Sequence, residues 1–170
     1  NPKEFKFCWI IDFPLFEWNE EEEKWDAAHN PFCKPKEEDM QYLESDPGRV
    51  YCNQYDLVLN GWELASGSIR INRPEVQERV MKILGHTKEQ LEMKFGFLLE
   101  AFKYGAPPHG GIGIGFDRTV ALMLGLSDIR EVVAFPKNKS AECPMDGCPC
   151  EVDDKQMKEL SLKCEIVKKK

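Results

Sequence analysis

Val50-Tyr-Cys-Asn-Gln-Tyr-Asp-Leu-Val-Leu59, then Asn60-Gly61, then Trp62-Glu-Leu-Ala-Ser-Gly-Ser-Ile-Arg-Ile71 is the stretch that decides the fold. Two β-prone runs flank an Asn-Gly pair. A type I′ turn needs φ > 0 at both central residues, which Asn and Gly tolerate best. The stretch therefore reads as an antiparallel hairpin. Pairing outward from its turn sets Leu59 against Trp62, Val58 against Glu63, Leu57 against Leu64 and Asp56 against Ala65. Asp56 and Glu63 then share a face as diagonal neighbours, roughly 7–8 Å apart at the backbone. Arg70 lies seven residues beyond Glu63, so strict alternation sends it to the opposite face. If all three serve one pocket, a β-bulge must fall between Ala65 and Ile69, and Ser66-Gly67 is the expected place.

Toward the N-terminus, Phe5 to Ile11 is β-prone until Pro14 interrupts it, and the acidic run Glu20 to Glu23 sits between Trp18 and Trp25 like a solvated hairpin tip. Pro35 to Leu43 reads as a short helix before the turn Asp46-Pro47-Gly48. Toward the C-terminus, Pro74 opens a helix to Leu84, with Val76, Val80, Ile83 and Leu84 at helical spacing and Gly85 as its stop. Thr87 and Gln90 have the spacing of a capping box and start a second helix to about Tyr104, ended by Gly105 and Pro107-Pro108. From Gly110 the chain reads as a strand, then a helix through Leu124 stopped by Gly125. A short strand Val132 to Phe135 and a helix near Asp153 to Leu160 follow. This order implies an α+β fold with a mostly antiparallel sheet flanked by helices.

The chain has 170 residues, 42% hydrophobic and 31% charged, which is globular composition. Lys plus Arg number 23 against 30 Asp plus Glu, so the net charge of −7 disfavours non-specific nucleic-acid binding through phosphates. No apolar run approaches the ~20 residues of a membrane span, and no signal-peptide pattern opens the sequence, so a cytoplasmic protein without membrane partners is expected. Seven cysteines, an odd number, read as reduced thiols. Cys143, Cys148 and Cys150 form C-x4-C-x-C, with Cys164 farther on. That departs from a C-x2–4-C zinc knuckle and has no histidine nearby, so these too read as ordinary cysteines.

Three features carry chemistry. Asp56 and Glu63 read either as a solvent-facing acidic surface or as a pair able to share Mg²⁺ holding a triphosphate, because Mg²⁺ takes carboxylate and phosphate oxygens together. The small residues Ala65-Ser66-Gly67-Ser68 precede Arg70, a floor and a guanidinium suited to a compact carboxylate ligand. In Gly111-Ile-Gly-Ile-Gly-Phe116 the glycines alternate within a strand, which turns Ile112, Ile114 and Phe116 toward a core and leaves the other side as bare backbone. Asp117-Arg118 then places a planar cation beside that strip, able to stack on an aromatic base.

Gly113-Ile-Gly-Phe-Asp-Arg118 resembles motif 3 of the class II aminoacyl-tRNA synthetases. The whole chain is similar to the C-terminal part of a bacterial-type aspartyl-tRNA synthetase catalytic domain. The match runs through Trp9-Ile-Ile-Asp-Phe-Pro-Leu-Phe16, His29-Asn-Pro-Phe32, Tyr55 to Gly61, Glu63 to Ile71, Lys94 to Glu100, Gly105-Ala-Pro-Pro-His109, Ile129-Arg130, Ala134-Phe-Pro-Lys137 and Glu159-Leu-Ser161. The resemblance implies a partial class II catalytic fold over residues 1–170, with motif 3 near 105–125 and an extension over 138–170. It implies that Arg70 and Arg118 are catalytic, that His29, Arg70 and Ser68 bind aspartate, and that Glu63, Gly115, Phe116, Asp117 and Arg118 bind ATP. Asp56 and Glu63 would hold Mg²⁺. Aspartate, ATP and tRNA are the implied partners, with a homodimer in the full-length parent. Asn30 departs from the family, which commonly has a second histidine there, and Ala65-Ser66 replaces the usual glycines. Motif 1, motif 2 with its α-phosphate arginine, and the anticodon-binding domain have no counterpart in the sequence. A fragment inactive by itself is therefore expected. The alternative is a stand-alone synthetase-like regulatory module that binds an amino acid or nucleotide.

Overall fold

The computed structural model describes residues 4–164, which divide into two compact units at Thr119 and Val120. The first unit is built on a four-stranded sheet ordered β1-β4-β5-β6, every neighbouring pair antiparallel. Its strands are β1 (Phe7–Pro14), β4 (Tyr51–Leu59), β5 (Trp62–Ile69) and β6 (Gly110–Ile114). The Asn60-Gly61 turn is as expected, with φ of 50° and 86°. Asn60 does more than turn the chain: its Oδ1 accepts from Lys6 N at 2.9 Å and its Nδ2 donates to Glu4 O at 3.0 Å, tying the entry of β1 to the hairpin.

The ribbon β2 (Phe16–Asn19) and β3 (Lys24–Ala27) pairs Trp18 directly with Trp25, edge to face at 5.3 Å, and carries the acidic run at its tip. Residues Glu37–Tyr42 form a 3-10 helix. The helix α1 (Pro74–Ile83) begins at its proline, and α2 (Lys88–Lys103) carries the capping box, with Thr87 N on Gln90 Oε1 at 3.0 Å and Gln90 N on Thr87 Oγ1 at 3.3 Å. The core lies at one end of the sheet, where Leu15, Phe16, Cys33, Leu43, Val50, Cys52 and Ile71 pack with Val76 and Val80 of α1. The helix α3 (Phe116–Met123) follows β6.

Three sequence expectations need correction. The hairpin bulge is at Leu64 and not at Ser66-Gly67: Val58 pairs with Glu63, but Leu57 pairs with Ala65 and Asp56 with Ser66. Leu64 is buried, so burying one extra apolar side chain sets the register, while Gly67 serves a different purpose (its place under Tyr55, below). Ile112, Ile114 and Phe116 do not face a core; they are 44%, 66% and 77% exposed. By register Ile112 and Ile114 share a sheet face with Phe7, Trp9 and Ile11, which are exposed as well. The alternation was real, but the layer it anticipates is not supplied by those residues. Finally, Val132 to Phe135 is turn and bend following the 3-10 turn Ile129–Glu131, in which Asp128 Oδ1 accepts from Arg130 N at 2.9 Å. β-Branched residues form a strand only beside another strand, and none borders this segment among the described residues.

In the second unit, Asn138 Oδ1 organises a loop by accepting from Ser140 N and Glu142 N, both at 2.9 Å. The short helix α4 (Asp154–Glu159) is capped by Asp153. Cys143 is buried, whereas Cys150 and Cys164 are exposed, and the cysteines are unpaired thiols. Among the described residues, no helix is long and apolar enough to cross a membrane and no group of three or more His, Cys, Asp or Glu side chains is set to hold a metal.

Candidate active site on the sheet face

The Leu64 bulge decides which face Arg70 joins. Because Asp56 pairs with Ser66 and Gln54 with Ser68, these four share a face, and Arg70 continues the alternation of Ser66 and Ser68. Glu63 pairs with Val58, two residues from Asp56, and so joins them. The unbulged register would have set Asp56 against Ala65 and turned Arg70 away. β6 adds Gly113 opposite Ser66 and Gly111 opposite Ser68 on the same face.

A second irregularity delivers another group there. Ile11 pairs with Tyr55, but Phe13 pairs with Cys52, with Asp12 between them at φ 64° and ion-paired to Lys36 at 2.5 Å. This shift moves Phe13 to the Cys52–Gln54 face, where its ring meets the exposed His29 imidazole edge to face at 4.8 Å.

The site has two ends. At one, Arg70 Nη1 donates to Asn30 Oδ1 at 2.7 Å, beside His29 in sequence. Cys33 forms a bridge with Arg70, and a hydrogen bond with Cys52, helped by the guanidinium charge, lowers the Cys33 thiol pKa. At the other end, Arg118 Nη1 donates to Glu63 O at 2.6 Å and stands 3.6 Å from Glu63 Oε1. Gly115 makes that reach possible. Its N donates to Leu64 O at 2.8 Å, and an added Cβ would lie 3.3 Å from that oxygen and 3.6 Å from the Arg118 stem. Asp117 and Phe116 are exposed in the first turn of α3. Between the ends, β5 runs roughly 20 Å at ~3.3 Å per residue.

The floor between the ends is polar and has unmet hydrogen-bonding capacity. Gln54, Asp56 and Ser68 are 5%, 8% and 1% exposed, and Gln54 Oε1, Asp56 Oδ1 and Ser68 Oγ have no hydrogen-bond partner among the described residues. Buried polar groups are ordinarily satisfied, so three orphans in one patch fit a site completed by a ligand or ordered water. Beside them, a Cβ on Gly111 would meet nothing within 4 Å, and one on Gly113 only Ser66 O at 3.8 Å. That glycine strip faces open space and is not a tight packing seam.

The family model for class II tRNA synthetases (D, K and N) matches residues 1–139. The chain belongs to this class II synthetase family. Over 162 residues it is 60% identical to an aspartate–tRNA(Asp/Asn) ligase of Treponema denticola and 56% identical to an aspartate–tRNA ligase of Ruminiclostridium cellulolyticum, each alignment covering 95% of the chain. It spans only 28% and 27% of those relatives' lengths. Among solved structures, the aspartyl-tRNA synthetase of Entamoeba histolytica superposes with a TM-score of 0.57 at 28% identity, covering 79% of this chain and 23% of the other. The mostly antiparallel sheet with its helices matches the class II synthetase fold.

Within this class II face, the structure brings together Asp56, Glu63, Ser68, Arg70 and Arg118 by register or direct contact, with His29 at the Arg70 end. Sequence reasoning missed Gln54, although its two-residue offset from Asp56 places it on the same face. It also missed Gln77, buried on α1, whose Nε2 donates to Pro31 O at 2.7 Å and anchors the His29-Asn30 segment from behind. Helical periodicity marks Gln77 only as a polar residue among apolar neighbours.

Proposed function

We propose that the chain is the C-terminal part of the catalytic domain of an aspartate–tRNA ligase, contributing its aspartate pocket and motif 3 ATP site. One observation carries the reading: the Leu64 bulge collects Glu63, Asp56, Ser68 and Arg70 on one face beside an open glycine floor. Arg70 reads the aspartate side-chain carboxylate by charge-assisted hydrogen bonds, with His29 and Ser68 beside the amino acid. Arg118 stacks on adenine lying along Gly113 and Gly115, flanked by Phe116 and Asp117. The unpartnered Asp56 Oδ1 and the half-exposed Glu63 carboxylate suit Mg²⁺, which binds few carboxylates and completes its shell with phosphate oxygens and water. Bound Mg²⁺ would neutralise triphosphate charge during adenylate formation.

The chemistry asked of these residues is positioning and electrostatics, not proton transfer. The aspartate α-carboxylate attacks the ATP α-phosphorus, pyrophosphate leaves, and the aspartyl group passes to the tRNA 3′ end. The full-length protein, acting as a homodimer in the cytoplasm, should catalyse aspartate-dependent exchange of labelled pyrophosphate into ATP. The 170-residue chain alone, which spans 28% and 27% of the two ligase relatives' lengths, should not. Exchange by the full-length protein that ignores added aspartate overturns the substrate assignment. Exchange by the chain alone above a heat-killed control overturns that expectation.

A further inference from the structure

We infer that Asn30 is a positioning and specificity-determining residue for Arg70: its neutral amide fixes the guanidinium without neutralising it, leaving the charge for a substrate carboxylate. This rests on the aspartate-reading role of Arg70 proposed above. Asn30 is itself held, because its Oδ1 also accepts from Phe32 N at 3.1 Å and the next carbonyl, Pro31 O, is held by buried Gln77. On the other side, Arg70 N donates to His109 O at 2.9 Å. Both partners of the 2.7 Å contact are thus fixed by backbone bonds independent of it.

Most arginines of this chain are paired to a carboxylate, and Arg70 is not. Arg73, Arg79, Arg118 and Arg130 each have a carboxylate within 4 Å. Among the described residues Arg49 and half-buried Arg70 have none, and Arg49 lies instead over the Tyr42 ring at 4.1 Å. A guanidinium presents five N–H donors, and Asn30 engages only the Nη1 corner. The remaining edge keeps two parallel donors for a bidentate carboxylate. An aspartate at position 30 would have the same shape as asparagine but would pair with Arg70 internally and compete with the ligand.

The test is Asn30→Asp in the full-length protein, read by pyrophosphate exchange with L-aspartate as the varied substrate, alongside thermal melting. The aspartate KM should rise about tenfold or more, with kcat and the ATP KM within about threefold and the melting temperature unchanged or higher. A merely structural residue would give lower stability and no selective change in KM. An aspartate KM within about threefold of wild type overturns the inference. Arg70→Leu is run in parallel: if it raises the aspartate KM while Asn30→Asp does not, only the role of Asn30 fails. If neither substitution moves it, the Arg70 reading fails as well. Should Asn30→Asp not fold, Asn30→Ala decides, with a selective rise of about threefold or more supporting the inference and a smaller one overturning it.

Discussion

Arg70→Leu in the full-length protein should raise the aspartate KM by about 30-fold or more while moving the ATP KM less than about threefold. Removing one partner of a desolvated, charge-assisted pair costs ~2–5 kcal/mol, because the other charge is left unpaired in the site. The selectivity follows from the layout. Arg118 and the Glu63 contacts lie at the far end of a strand segment roughly 20 Å long, beyond direct interaction with Arg70. The His29-Asn30 segment should survive the substitution, since Phe32 N and Gln77 still hold it. Pyrophosphate exchange at varied aspartate and varied ATP separates the two constants. An aspartate KM unchanged within about threefold shows that Arg70 does not read the carboxylate.

How much of this was legible depended on how local its cause is. The Asn60-Gly61 turn and the Thr87–Gln90 capping box are set within four residues, and both form as their spacing demands. The need for a bulge between Glu63 and Arg70 was also legible, because it follows from parity alone. Its place was not. Gly67 looked like the weak point of the strand, but the extra residue is Leu64, whose burial depends on packing that spacing does not encode. The displaced Phe13 shows the same limit: a period-two reading of β1 puts it with Trp9 and Ile11, and only the register shift against Cys52 brings it to His29. Ile112 and Ile114 mark the converse case: the alternation does put them on one face, but they are exposed and the core expected over them does not form among the described residues.

Gly67 on β5 and Gly113 on β6 should fail in opposite ways. A Cβ on Gly67 would stand 2.2 Å from Gly111 O and 2.6 Å from a Tyr55 ring carbon, because that ring crosses Gly67 to donate its hydroxyl to Gly111 O at 3.1 Å. Backbone would have to move, so Gly67→Ala should destabilise the full-length protein by ~1–3 kcal/mol or more, read as a lower melting temperature. Gly113 has room, with Ser66 O at 3.8 Å as the nearest atom to an added Cβ. Gly113→Leu should therefore fold normally, yet its side chain would rise from the strip on which adenine is proposed to lie. Losing the sheet contact and the Arg118 stack together should raise the ATP KM about 10- to 100-fold, with the aspartate KM nearly unchanged. A variant that melts like wild type and retains its ATP KM shows that the open strip beside Ser66 is not where the nucleotide sits, since a leucine and a base cannot share that volume.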